Sequence, residues 1–521
     1  MTAVEYDKEC DLLVIGGGIN GAGIARDAAG RGLCVVLCEK DDLASHTSSA
    51  STKLIHGGLR YLEYYEFSLV RKALIEREVL LRAAPHIMRP LRFVMPHAPG
   101  QRPALLIRAG LFLYDFLAKR ELLPASSGIR LGCHVAGRPL KPEFKHGFVY
   151  SDGWVDDARL VVLNAMDACM HGASVRTRTA CTALRRSEDG GSWYATLRGA
   201  DGKDTVVRAR GVVNAGGPWT ASLLGQALPQ RRSQHLRLIK GSHIVVKRIF
   251  EHDHAYIFQN RDGRIVFAIP YEQDYTLIGT TDLDYKGDPN QVAIDAQEVS
   301  YLCELVSQYF KAPVRPEDVV WTYSGVRPLV EDAARDAKAV TRDYRLEMDN
   351  GDNGDGGGGQ APLLSIFGGK ITTYRKLAEE AVDLLCKALG NRKPGWTAQA
   401  CLPGGDLYGD TPQNCAVLRY DEWRDKLLQQ YRWLPRALVA RYARAYGTRI
   451  HTLLAGRVKL EDMGTELEPG LYAAEVDYLR RYEWAVTADD ILWRRSKLGL
   501  HVPPGAGARL TEWMAAHPLQ A

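Results

Sequence analysis

The chain holds 521 residues, 46% of them hydrophobic, enough to bury a large core split over two or three domains. Its 67 basic and 62 acidic residues leave a net charge of +5, too mild to point to nucleic acid, and no RNA-binding motif is present. Ten cysteines lie scattered without a CxxC pair or a Cys/His cluster at zinc spacing, which argues against a disulfide framework and a metal site and for reduced thiols in the cytoplasm.

The opening MTAVEYDKEC has acidic residues and no long apolar run, so no secretory signal is expected and the protein is expected to act inside the cell. Asp11 to Gly23, DLLVIGGGINGAG, predicts a strand, a tight turn and a helix N-terminus. Gly16, Gly18 and Gly21 fit GxGxxG, in which missing side chains let the backbone turn, approach a pyrophosphate and pack helix on strand. The unpaired N–H groups of such a helix start can hold the anion. A second apolar strand, Leu33 to Leu37, runs into Cys38 and Glu39, which puts a carboxylate where an adenosine ribose could donate to it.

Next comes a hydroxyl-rich loop, Ser45 to Thr52, composed for contacts rather than for a core, leading into KLIHGGLRYLE. Residues 102 to 120, RPALLIRAGLFLYDFLAKR, combine apolar side chains with Arg102, Arg108, Lys119 and Arg120. The apolar stretch Ala104 to Leu117 is shorter than the roughly 20 residues that span a bilayer. It predicts an amphipathic helix, packed on the core or lying in an anionic lipid surface with partly salt-sensitive binding. Val206 to Val213 predicts a strand that runs into Asn214, Ala215, Gly216, Gly217, Pro218 and Trp219, a second glycine turn before a helix. From His235 to Thr281, short apolar runs with turns between them predict an antiparallel sheet. DNGDNGDGGGG at 349 to 359 predicts a mobile surface loop. Leu363 to Phe367 and GGKITTYRKLAEEAVDLL give a third strand, glycine turn and helix, and beyond about residue 395 a separate helical domain is expected.

Several blocks are distinctive together: GGGINGAG (16–23), TSSASTKLIHGGLRYLE (47–63), WVDDARL (154–160), NAGGPW (214–219), IKGSHIVV (239–246), IGTTD (278–282), YSGVRP (323–328), FGGKITTYRKLAE (367–379) and ADDILWRRSK (488–497). They closely resemble the FAD-dependent, respiratory-type glycerol-3-phosphate dehydrogenases. Gly216 and the IPY at 269–271 depart from the usual NATGPW and IPW, without loss of a charged group. The resemblance implies an α/β (α+β) chain with a glutathione-reductase-like FAD-binding Rossmann domain (1–80, 150–232 and 330–390), an antiparallel-sheet substrate domain (81–149 and 233–329) and a C-terminal all-helical cap (391–521).

It further implies FAD contacts from Gly16, Gly18, Ile19, Asn20, Gly21, Glu39, Thr47, Ser48, Ser49, Ser51, Lys53, Leu54, His56, Gly57, Gly58, Ala215, Gly216, Gly217, Trp219, Gly368, Gly369, Lys370, Ile371 and Thr372. Arg60, Arg327 and Lys370 are expected to converge on a phosphate ester, because guanidinium forks and an ammonium suit a dianion. His243 is the favoured proton acceptor, since histidine changes protonation near neutral pH, with His56 as rival. Tyr61 and Thr280 are candidates to orient the substrate. The helix opened by Gly368 to Thr372 is a candidate to stabilise the reduced flavin ring.

The activity so implied is oxidation of sn-glycerol 3-phosphate to dihydroxyacetone phosphate, with electrons passed through FAD to a membrane quinone and the protein bound peripherally to the cytoplasmic membrane. An oxygen-using oxidase, an amine or amino-acid oxidase, a non-catalytic flavin-binding protein and a homodimer stay open at this stage.

Overall fold

The computed structural model describes residues 6–98, 101–228, 236–260, 263–330, 343–351 and 359–519. Most of the glycine-rich 349–359 segment and the 232/233 domain border lie outside the described residues.

Two sheets carry the fold. The first has eight strands, ordered Arg345–Asp349, Leu363–Phe367, Asp204–Asn214, Lys8–Ile15, Val35–Cys38 and Ser174–Arg176, with Trp193–Arg198 and Ala180–Arg186 attached at Asp204–Asn214. Its central strands are parallel. Parallel strands need covering on both faces, which is why they read as unbroken apolar runs rather than alternating ones. Ile19–Gly30 and Tyr374–Leu389 pack on one face through Ile24, Ala25, Ala28, Leu377, Ala381 and Leu385. Asp157–Met170 starts where the Asp156 side chain accepts from Arg159 N, and the helix Tyr374–Leu389 stops at Gly390 with φ 77.

The second sheet has ten strands. Leu236–Lys247, Tyr275–Gly279, Ile265–Tyr271 and Ala255–Gln259 pair antiparallel, as the alternating runs predict. One pairing is parallel, Ala255–Gln259 on Met88–His97. Leu54–Ile55, from within the expected 1–80 segment, and the whole of His146–Val155, which spans the expected border at 149, belong to this sheet. Short, locally ambiguous strands such as Leu54–Ile55 take their membership from pairing partners far away in sequence. Arg327 lies inside the strand Val319–Val330. Pro328 is tolerated there because, among the described residues, this strand pairs only with Leu236–Lys247 and stands as an edge.

The C-terminal unit packs helices Tyr420–Gln430, Arg436–Tyr446, Ala473–Tyr482 and Ala506–Ala516 around Trp423, Leu438, Tyr442, Tyr446, Ile450 and Leu479. It is not wholly helical. A hairpin, Glu466–Glu468 with Leu471–Tyr472, turns the chain, and Asp490–Arg495 forms a single π-helical turn.

Candidate active site

Four parallel strands of the first sheet end side by side. Ile15 is level with Cys38 on one flank and Asn214 on the other, and Asn214 is level with Ser365. The three glycine turns, far apart in sequence, therefore share one sheet edge, the place where open α/β folds bind ligands. Glycine is required at the first: Gly16 has φ 107, and a Cβ on Gly21 would fall 1.9 Å from Gly16 O. Asn20 ties the first turn to the third, its Nδ2 donating to Gly368 O at 3.2 Å.

A cavity of ≈ 1050 Å³ runs from this edge to the second sheet, at the upper end of the range for small-molecule sites. All predicted site residues line it except Gly21, Ser49, Lys53 and Gly57. Those four stand behind the wall. Gly21 lets the helix meet the strand, and Ser49 Oγ donates to His46 O at 3.3 Å. Lys53 Nζ donates to the buried Asp157 at 2.7 Å, and Gly57 N donates to Tyr114 Oη at 2.8 Å.

At one end Glu39 faces the cavity, its carboxylate accepting from Gly17 N at 2.7 Å and Asp41 N at 3.0 Å. Burial raises its pKa, and those two N–H groups oppose the rise. Lys40, His46 and Thr179 to Cys181 complete this end, none of them singled out by the sequence. Glu39, Asp41 and His46 place one ligand atom each within 4.8 Å of one another, but His46 Nε2 and Asp41 Oδ2 already pair at 2.6 Å and the Lys40 ammonium sits on the same Asp41.

The hydroxyl loop joins the two sheets. Ser48 Oγ accepts from Ile19 N at 3.0 Å, Thr47 Oγ1 donates to Val326 O at 2.7 Å and Ser51 Oγ donates to Asp157 at 2.7 Å. Asp157, fully buried at the first turn of its helix, anchors both Ser51 and Lys53. It sits inside the WVDDARL block, which offered the only signal for it.

At the other end, the paired strands Leu236–Lys247 and Val319–Val330 present His243 and Arg327, and Thr280 follows the last residue of Tyr275–Gly279 beside them. Arg327 Nη1 lies 3.9 Å from Asp282 Oδ1, a cavity-lining carboxylate that the sequence did not single out. Thr280 Oγ1 donates to Thr281 O at 3.0 Å. Arg60, Tyr61 and Lys370 line the cavity too, with the Lys370 ammonium 4.1 Å from the Tyr61 ring centroid. Gly58, at φ 80, makes room for them, since a Cβ there would meet the Tyr61 ring at 2.3 Å. His56 lines the cavity as well, its main-chain N donating to Thr372 Oγ1 at 3.1 Å.

His243 is 2% exposed and stacks on Tyr323, with centroids 4.7 Å apart and an interplanar angle of 15°. Its Nε2 is 2.9 Å from Thr52 Oγ1, and Nδ1 has no hydrogen-bond partner among the described residues. Burial, followed by Lys53 and Arg327, pushes the imidazole pKa well below its ordinary value. The direction of this shift favours the neutral imidazole, the form that can accept a proton. Thr52 and Tyr323 were missed as its supports, since nothing in sequence couples residues 191 and 80 positions away.

The donor set fits a dinucleotide. The helix Ile19–Gly30 opens toward the cavity with Gly18 at its N-cap and only Ile19 N taken by a side chain, Ser48 Oγ, while Asn20 Oδ1 in its first turn is buried with no hydrogen-bond partner among the described residues. Fold and cavity together define a flavin-type oxidoreductase. Residues 11–375 match the family model for FAD dependent oxidoreductases, and residues 396–515 match the C-terminal domain of alpha-glycerophosphate oxidase. A glycerol-3-phosphate dehydrogenase of Pseudomonas aeruginosa is 54% identical over 98% of this chain and 96% of its own. A D-erythritol 1-phosphate dehydrogenase of Brucella abortus is 49% identical over 97% and 98%. The glycerol-3-phosphate dehydrogenase of Bacillus halodurans, solved with FAD, superposes with a TM-score of 0.73 at 27% identity, covering 98% of this chain and 89% of that one. The chain belongs to the family of FAD-dependent glycerol-3-phosphate dehydrogenases.

Proposed function

We propose that this flavoenzyme oxidises sn-glycerol 3-phosphate to dihydroxyacetone phosphate and that a membrane quinone takes up the electrons. The observation that carries this reading is the meeting of Arg60, Arg327 and Lys370 with a neutral, buried His243 in one cavity. Three cations suit a phosphate dianion, whereas an amino-acid carboxylate asks for a single forked guanidinium. Bound FAD supplies the hydride acceptor and stores the electron pair.

Arg327 and Arg60 orient the ester and Lys370 adds a point charge. The carbinol then sits beside the second sheet, where His243 takes the hydroxyl proton as hydride leaves carbon. Thr280 Oγ1, already donating to the main chain, is left to accept from a substrate hydroxyl.

The helix Ala104–Phe116 supports the membrane half of the reading. Leu106, Ile107 and Leu113 line the cavity, and Leu105, Phe112 and Phe116 are 85%, 59% and 68% exposed. Each side chain inserted into lipid contributes up to about 2 kcal/mol. The basic residues contribute less than their number suggests. Arg102 pairs with Glu63, Lys119 with Glu121 and Arg120 with Asp115, while Arg108 donates to Ser126. Binding therefore rests chiefly on apolar contact and depends only weakly on salt. No helix among the described residues is long and apolar enough to cross a membrane.

The test is anaerobic single turnover of the FAD-loaded enzyme, followed by addition of a short-chain quinone or of oxygen. One dihydroxyacetone phosphate per flavin, and reoxidation faster by quinone than by oxygen, are expected. Peroxide formed in step with turnover would make the protein an oxidase, and faster reduction by D-erythritol 1-phosphate would change the substrate. Failure to sediment with lipid vesicles at any ionic strength would remove the membrane role.

A further inference from the structure

The ADDILWRRSK block carries a buried charge cluster with no part in the reaction just described. Across the boundary between the C-terminal unit and the first sheet, Arg495 Nη1 and Nη2 donate to Asp42 Oδ2 and Oδ1 at 2.7 Å each, and Arg494 Nε donates to Oδ2 at 2.6 Å. The side chains of Asp42, Asp490 and Arg495 are 2%, 0% and 0% exposed. Arg178 bridges the two acids, donating to Asp490 Oδ2 at 2.6 Å with Nη1 3.9 Å from Asp42 Oδ1.

What this cluster grips is the main chain at the Glu39 end of the cavity. Asp42 lies three residues beyond Glu39, and Arg178 lies one residue before Thr179. These segments are stitched together by Glu39 N to Arg176 O at 2.9 Å, Thr179 N to Glu39 O at 2.7 Å and Arg178 N to Asp41 O at 2.8 Å. Arg178 is itself held at φ 51, a conformation that a residue with a side chain keeps only under outside constraint. Without Arg494 and Arg495, Asp42 would be a buried carboxylate facing one guanidinium at 3.9 Å, a costly arrangement.

We infer that Arg494 and Arg495 are positioning residues for the cofactor: the C-terminal unit fastens the Glu39–Asp42 turn in its ribose-binding geometry and so sets how tightly the adenosine end of FAD is held. The inference rests on the reading that Glu39 receives the adenosine ribose. A purely structural tie would stabilise the chain without selecting one half of the cofactor.

The experiment uses the full-length protein with Arg495→Lys, which keeps the charge but loses the fork, and the milder Arg494→Met, whose side chain is only partly buried. Affinities for FAD and for ADP, which contains the adenosine half alone, are measured beside Glu39→Gln, together with flavin bleaching by substrate at saturating FAD. FAD and ADP affinities should fall together by about tenfold or more, the scale seen when partners that orient a ligand-binding group are lost, while bleaching at saturating FAD keeps the wild-type rate. Wild-type affinities in both arginine variants, with Glu39→Gln weakened, would overturn the inference. So would a lower melting temperature of the FAD-free protein with affinities unaltered. Unchanged affinities in Glu39→Gln would instead remove the ribose reading beneath it.

Discussion

Adding one methyl group to Gly279 tests the geometry around His243 without removing any polar atom, although the new Cβ would also crowd Nε2 at 2.8 Å. Gly279 and Tyr323 flank His243 on its two neighbouring strands. A Cβ on Gly279 would lie 2.1 Å from His243 Cδ2, where ordinary contact begins at 3.4 Å, so the ring must retreat by about 1.3 Å. Tyr323, stacked at 4.7 Å, blocks that retreat, and swinging aside breaks the 2.9 Å contact with Thr52. A displacement of about 1 Å in a reacting constellation costs on the order of 100-fold in rate, about 2.7 kcal/mol of barrier. Overpacking adds about 1–3 kcal/mol of instability. Stopped-flow reduction of FAD-loaded Gly279→Ala should therefore slow about 100-fold, with FAD retention unchanged. Reduction within a few-fold of wild type would refute the placement of His243 at the reacting centre.

Thr52→Val removes the partner of His243 Nε2 and should slow reduction about tenfold, the worth of one hydrogen bond, while Thr52→Ser restores it; equal rates in the two variants would exclude Thr52 as a support. Arg327→Lys exchanges a fork for a point charge, so KM for the phosphate ester should rise about tenfold or more, and an unchanged KM would take Arg327 off the substrate. Burial, helped by Asp156, pushes Glu272 from 4.5 up to about 7. A folded pKa above the unfolded one gives stability that is present below pH 4.5 and lost as pH rises through 7. Glu272→Gln should therefore gain on wild type by of order 1–3 kcal/mol in thermal unfolding at pH 8 but little at pH 4.5, and an equal difference at both would contradict the assignment.

Much of the site was legible because each glycine turn announces itself locally: Gly16, Gly216 and Gly368 each follow an apolar strand, and one parallel sheet brings them to a common edge. The motif blocks then supplied Arg60, His243, Arg327 and Lys370, all of which line one cavity. What stayed hidden depends on contacts between distant segments. Thr52 looked like one hydroxyl among many until the fold set it against His243. Asp157 was one letter of the WVDDARL block until the fold brought Lys53 and Ser51 onto it. The acid partners of Arg102, Lys119 and Arg120 were in plain view in the sequence, yet their pairing beside the helix Ala104–Phe116 is a property of the folded chain. Burial of His243, which pushes its pKa down and favours the neutral ring, was likewise not legible in the sequence.

The most direct measurement is anaerobic titration of the FAD-loaded protein with sn-glycerol 3-phosphate and, separately, with glycerol, followed by flavin absorbance. If Arg60, Arg327 and Lys370 hold the phosphate, the ester bleaches the flavin at concentrations where glycerol leaves it oxidised. Equal bleaching by both compounds, or none by the ester, would contradict that grip.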